Sequence, residues 1–218
     1  KAGELTFPGA NVVPGDAAKQ TLYWDRYLKN PDSRQDALKG VHYYVMGDVD
    51  DPSAPGNEWR QAASWPPFET NSGRVYLTAN KTLTQSLPRV SSSALSYQYD
   101  PQNTVPTIGG PQLTIPSGPR DQRLVEERDD VLVCTSQVLE DPLEVTGRVS
   151  ARFWIQSTGV DTDFFARLCD VYPDGRSFNL CEGVLRTRFR EGFDKEVLMT
   201  PGTVYPIDID LWSTSVVF

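Results

Sequence analysis

Seven short runs of β-branched and aromatic residues, each closed by turn residues, crowd the second half of the chain and restrict it to a β architecture. They are residues 131–135, 143–147, 149–156, 163–171, 176–180, 184–190 and 204–211. Short strands that recur with regular turn signals are the pattern of a β-sandwich or jelly roll. Pro173-Asp174-Gly175 is a tight-turn signal, so residues 163–171 and 176–180 are expected to form an antiparallel hairpin. The 16 glycines and 17 prolines among 218 residues supply the turns such a fold needs, and an aromatic content of 11% fits a packed interior better than a disordered tail.

The first half is less regular. Residues 1–15 read as loop, broken by Gly3, Pro8, Gly9, Pro14 and Gly15. Asp16 is placed as an N-cap, and Ala18, Leu22, Tyr23, Trp24, Tyr27 and Leu28 then recur at helical spacing. Asn30-Pro31 stops that helix, because Pro31 pushes Asn30 out of the α region. A single amphipathic helix cannot bury its apolar stripe alone, so residues 17–29 are expected to contact something outside the sandwich. Strand-type runs follow at 41–46, 74–77 and 96–99. Residues 100–120 read as a long Pro- and Gly-rich loop, unusual in a compact domain and expected to be ordered by packing.

The formal charge of −8 argues against a nucleic-acid surface, whose footprint is a basic patch. No run approaches the length of a membrane-spanning helix. Residues 1–16 contain no apolar stretch of the signal-peptide kind. Cys134, Cys169 and Cys181 fit no zinc spacing. Buried thiols are the reading of all three, with a Cys169–Cys181 disulfide as the alternative; reduced thiols slightly favour a cytoplasmic setting without fixing it. His42, the sole histidine, sits in an apolar strand run, and the chain has no Gly-x-Ser-x-Gly, so no nucleophile–base–acid triad can be assembled. The acidic stretch with Asp48, Asp50, Asp51, Asn57 and Glu58 offers oxygen ligands for calcium, but Pro52 stands where an EF-hand needs an acid, and a solvated turn is the plainer reading. Asp161 and Asp163 read as turn and strand-entry residues. Trp59, Trp65, Trp154 and Trp212 are either core or a sugar-stacking face. Arg186, Arg188 and Arg190 alternate and would share one strand face, ion-paired or open to an anion. No catalytic, cofactor-binding or metal-ligating residue is assigned.

Several segments together resemble one family. LYWDRYLKN, VHYYVMGDV, GNEWRQAASWPP, RVYLTA and YDPQNTVPTIGG, followed by RDDVLVCTSQVLEDPLEVTG, DTDFFARLCDVYPDG and GVLRTRFR, stand in the order seen in X-Pro dipeptidyl-peptidases and cocaine-esterase-like acyl hydrolases. The resemblance implies a mainly β fold: a galactose-binding-like jelly-roll sandwich preceded by one helix left from an α/β-hydrolase domain. It divides the chain into residues 1–30, the end of the hydrolase domain, and 31–218, the jelly roll. The family's nucleophile and acid lie well upstream, its catalytic His lies just before the segment matched by residues 1–15, and none of them is carried over to a residue here. Both ends then read as cut, since the family's jelly roll continues beyond the strand run that holds Phe218. The implied partner is the upstream hydrolase domain, with a small ester or X-Pro peptide as the parent's substrate, no cofactor, and a homo-oligomer left open. The PTIGG segment, residues 105–110, is expected to face the catalytic domain. The alternative is a free-standing β-sandwich module that binds carbohydrate or a partner; an orphan helix argues against it.

Overall fold

The computed structural model describes residues 1–12, 24, 28, 29, 40–69, 73–89 and 94–218. Its strands are β1 (Val41–Val45), β2 (Glu58–Ala62), β3 (Tyr76–Leu77), β4 (Leu83–Thr84), β5 (Glu144–Ile155), β6 (Asp163–Val171), β7 (Ser177–Arg186) and β8 (Tyr205–Val217). A short helix, α1 (Arg123–Glu126), precedes β5. The strands pair as β1–β2, β3–β4, β5–β8 and β6–β7. The expected helix at 16–29 lies outside the described residues except for Trp24, Leu28 and Lys29; the side chains of Trp24 and Leu28 are exposed.

Two compact units divide the chain. The first comprises residues 1–5, 72–140 and 148–214. Its core is a β-sandwich, and strand alternation explains which residues fill it. Val149, Ala151, Phe153 and Ile155 of β5 and Tyr205, Ile207, Ile209 and Leu211 of β8 meet Phe164, Ala166 and Leu168 of β6 and Cys181 and Leu185 of β7. On the opposite face of the β5–β8 pair, Arg148 reaches Asp210, and Arg152 reaches Asp208 at 2.6 Å. The expected hairpin is present: β6 and β7 are antiparallel, with Val171 opposite Ser177 and the turn closed by Gly175 N–H donating to the Tyr172 carbonyl at 2.8 Å.

Several strand boundaries differ from the sequence expectation. Residues 176–180 and the start of 184–190 belong to one strand, β7, which continues through Gly183. A Cβ there would lie 2.0 Å from the Asp210 carbonyl oxygen, so this glycine marks a close backbone approach rather than a strand break. The register slips between Leu168, opposite Cys181, and Cys169, opposite Asn179, leaving Leu180 as the extra residue of a bulge. Residues 143–147 and 149–156 likewise merge into β5. Of 131–135 only Thr135 pairs, bridging in parallel to Thr82, and 96–99 form no strand.

The three arginines do not share a strand face, because β7 ends at Arg186 and Thr187–Phe189 form a 3-10 turn. Arg186 and Arg188 both donate to Asp161, at 2.8 and 2.5 Å, and Thr187 and the Arg188 amide also donate to it. Arg190 donates to the Thr187 carbonyl and stacks 4.4 Å over the Tyr205 ring. Asp161 therefore locks the entry of β6 to the exit of β7.

The second unit comprises residues 6–71, 141–147 and 215–218. Here β1 and β2 pair with Tyr44 opposite Trp59. Tyr44 makes edge contacts with Trp59 and Phe7, and the Trp59 indole donates to the Gly9 carbonyl at 3.1 Å. Arg60 grips Glu144 with two bonds of 3.0 and 2.9 Å, and Met46 bridges Val216.

Truncating Ile209, which is fully buried, to Ala is expected to cost about 2–5 kcal/mol, read from urea unfolding. Burial alone would raise the Asp161 pKa, but the hydrogen bonds from Arg186, Arg188 and Thr187 outweigh it and hold the carboxyl at about 2. A folded-state value below the unfolded one means that this stabilisation is complete above about pH 4 and fades as the pH falls toward 2. Asp161→Asn should therefore flatten the acid limb of the stability–pH curve; an unchanged limb would contradict the assignment.

Candidate functional site

The face of the β6–β7 hairpin that points away from the core carries Arg167 and Cys169 on β6 and Ser177, Asn179 and Glu182 on β7. Alternation predicts such residues to be solvated. They are instead covered by residues 105–126 of the same unit, and Ser177, Asn179 and Glu182 are buried. Burial of polar groups requires that each find partners. Arg167 donates to Glu182 through Nε at 2.8 Å and Nη2 at 2.7 Å, and through Nη1 to the side-chain oxygen of Gln122. Gln122, itself buried, donates through Nε2 to the Ile108 carbonyl at 3.0 Å, the Arg120 carbonyl at 2.9 Å and Asn179 Oδ1 at 3.1 Å. Asn179 Oδ1 also accepts from the Arg120 amide, and Ser177 donates to Glu126 of α1 at 2.7 Å.

This network holds the base of a loop. Gly110 and Gly118 exchange backbone hydrogen bonds of 3.0 and 2.9 Å, pinching off residues 111–117. Gly110 has φ +77°, and a Cβ on it would fall 2.5 Å from Glu182 Oε1, so a side chain there would be strained and would have to push the carboxylate aside. At the loop's tip, Leu113 is 98% exposed. Beside the pinch lies a cleft of about 490 Å³ between the loop base, residues 179–182 of β7 and residues 211–213 of β8. Trp212 stands at this cleft with a left-handed φ of +69°, its amide donating to Asp210 Oδ1 at 3.0 Å.

The chemistry available here is structural. Glu182 is matched by Arg167. Burial pushes the Cys169 thiol up to about 12, with the Glu126 charge adding to it, and burial pushes Cys181 to about 11. Neither is a ready nucleophile. All three cysteines are free thiols. The disulfide alternative fails on geometry: Cys181 packs on the core side of the hairpin, whereas Cys169, opposite Asn179, lies on the other face.

The remaining candidates lie elsewhere. His42 sits mid-β1 opposite Gln61. The acidic stretch is built from turns: Asp48 accepts from the Asp50 amide, Asp51 from the Ser53 amide and hydroxyl, and Asn57 ties Gly47 to Asp48. Among the described residues no three His, Cys, Asp or Glu side chains converge as metal ligands. Trp59 and Trp65 pack on Tyr44 and Tyr43 in the second unit, and the exposed Trp154 and Trp212 belong to the first. Gln122, Asn179 and Glu182 escaped sequence reasoning. The usable signal was the glycine pair at 109–110 followed by Gly118, which demands a close approach by something.

Residues 33–218 match the family of X-Pro dipeptidyl-peptidase C-terminal non-catalytic domains. The chain is 41% identical over 210 residues to the cocaine esterase of Rhodococcus sp. (strain MB1 Bresler), covering 90% of this chain and 34% of that protein. The crystal structure of an aminopeptidase from a marine sediment Thaumarchaeota archaeon superposes with a TM-score of 0.74 at 26% identity, over 91% of this chain and 33% of the other. An α-amino acid ester hydrolase shares the fold, with a TM-score of 0.73 at 24% identity over 90% of this chain and 34% of the other. The chain thus spans about a third of the length of each. With the family matched over most of its length and the sandwich in place, this chain belongs to the X-Pro dipeptidyl-peptidase C-terminal non-catalytic domains, the domain type found in cocaine-esterase-like hydrolases.

Proposed function

We propose that this chain is the non-catalytic C-terminal part of a serine hydrolase that cleaves ester or X-Pro dipeptide bonds, and that it supports the catalytic domain and the rim of its substrate pocket. The observation that carries this reading is apolar surface on rigidly held elements. Phe165 and Val184 are cross-strand partners on the outer face of the β6–β7 hairpin, and both are more than half exposed, at 55% and 54%. The same face anchors the loop that displays Leu113. Covering a Phe, Val or Leu side chain is worth about 1.5–3 kcal/mol each, and exposed apolar patches on ordered scaffolds mark interaction sites. The upstream hydrolase domain of the parent is the occupant this reading supplies. Nucleophile, acid and base all come from upstream, since no residue here matches a triad position.

Charged substitution at the patch separates docking from folding. In the full-length enzyme, Phe165→Asp together with Leu113→Asp should lower kcat/KM by about tenfold or more and split a shared thermal transition in two. Unchanged activity with a single transition would sink the docking reading. The isolated chain should turn over neither a p-nitrophenyl ester nor an X-Pro p-nitroanilide, whereas the full-length enzyme should turn over at least one; turnover by the isolated chain that persists in His42→Ala would reveal a site of its own.

A further inference from the structure

We propose that Arg167, Glu182 and Gln122 are positioning residues: they set the place of the loop pinched between Gly110 and Gly118, and through it the substrate affinity of the parent enzyme. The effect on substrate rests on the reading above; the effect on the loop does not.

The argument begins with a cost. A buried ion pair loses solvation on both partners, and an apolar pair of similar size commonly serves a fold as well or better. Glu182 has a side chain only 5% exposed and Arg167 one only 17% exposed, on a sheet face that has no need of charge. Their value lies in what else they touch. Glu182 Oε1 occupies the space where a Cβ of residue 110 would stand, so the carboxylate abuts one side of the pinch. Arg167 holds the oxygen of the Gln122 amide, which turns its nitrogen toward the loop. That nitrogen donates to the carbonyl of Ile108, two residues before Gly110, and to that of Arg120, two residues after Gly118. One amide therefore staples both arms of the loop at matched distances from the pinch, and the ion pair orients the staple. The chain of contacts runs from the hairpin to both arms of the loop, and none of its buried side-chain atoms lacks a partner, the condition under which a buried network rigidifies. An apolar replacement could fill the same volume but could not aim the Gln122 amide.

Two variants of the full-length enzyme test this. Glu182→Gln leaves Arg167 underpaired and should both lower Tm and loosen the loop. The double variant Arg167→Met with Glu182→Leu removes both charges, so Tm should recover toward wild type while the loop stays loose. Hydrogen exchange at the Gly110 and Gly118 amides reads the pinch, and it should quicken by about tenfold or more in both variants. KM should rise in both, with kcat held within about twofold. If the double variant restores Tm and exchange protection together, the pair is packing alone and the proposal is overturned. Wild-type exchange rates in both variants overturn it as well. Faster exchange with an unchanged KM upholds the positioning of the loop and refutes the pocket-rim reading instead.

Discussion

The β6–β7 hairpin is covered over its inner face and part of its outer face by opposite chemistry, and the first unit is organised around that fact. Inward, Phe164, Ala166, Leu168, Cys181 and Leu185 join an apolar core with β5 and β8. Outward, Arg167, Asn179, Ser177 and Glu182 lie under a segment of loop. The inner face is held by area and shape, a non-directional force that tolerates adjustment. The outer face is held by directional bonds, each of which is costly to leave unmade. A bulge at Leu180 lets both demands be met on one strand, because it resets which side chains face which way between Cys181 and Asn179.

From this follows the order of residues 105–126, a stretch with one helical turn and otherwise no regular structure. Such a segment must satisfy its backbone groups somewhere. It does so on the hairpin: the Gln122 amide donates to Ser177, the Arg120 amide to Asn179, and the Ile108 carbonyl accepts from Gln122. The packing partner expected of the PTIGG segment is thus in part its own hairpin, which fixes its base, while the tip beyond Gly110 remains free to meet another surface. The same scaffold explains why the cysteines are quiet. Both Cys169 and Cys181 are strand residues whose burial favours the neutral thiol.

Among the described residues of the first unit, Arg152 pairs with Asp208, Arg167 with Glu182 and Arg186 with Asp161, while Leu113, Phe165 and Val184 are exposed apolar side chains.

The strand content, the hairpin around Pro173-Asp174-Gly175 and the family were legible in the residues themselves, because turn chemistry and alternation are local and motif order is linear. Asp161 also read correctly as a strand-entry residue, but its partners Arg186 and Arg188 lie about two dozen positions on, and their shared carboxylate is set by where β7 stops. The strand limit at Gly183 was misread, since a glycine at a close backbone approach looks in sequence like a glycine in a turn; at Gly147, inside β5, the glycine carries a φ of +135°. The polar network escaped entirely. Arg167 and Glu182 sit at positions that alternation assigns to solvent, and nothing within a few residues of either reveals that a loop will cover them. Local sequence decides which face of a strand is polar; only the tertiary structure decides whether that face meets water, because burial depends on segments some fifty residues distant in the chain, such as Gln122 and Asn179.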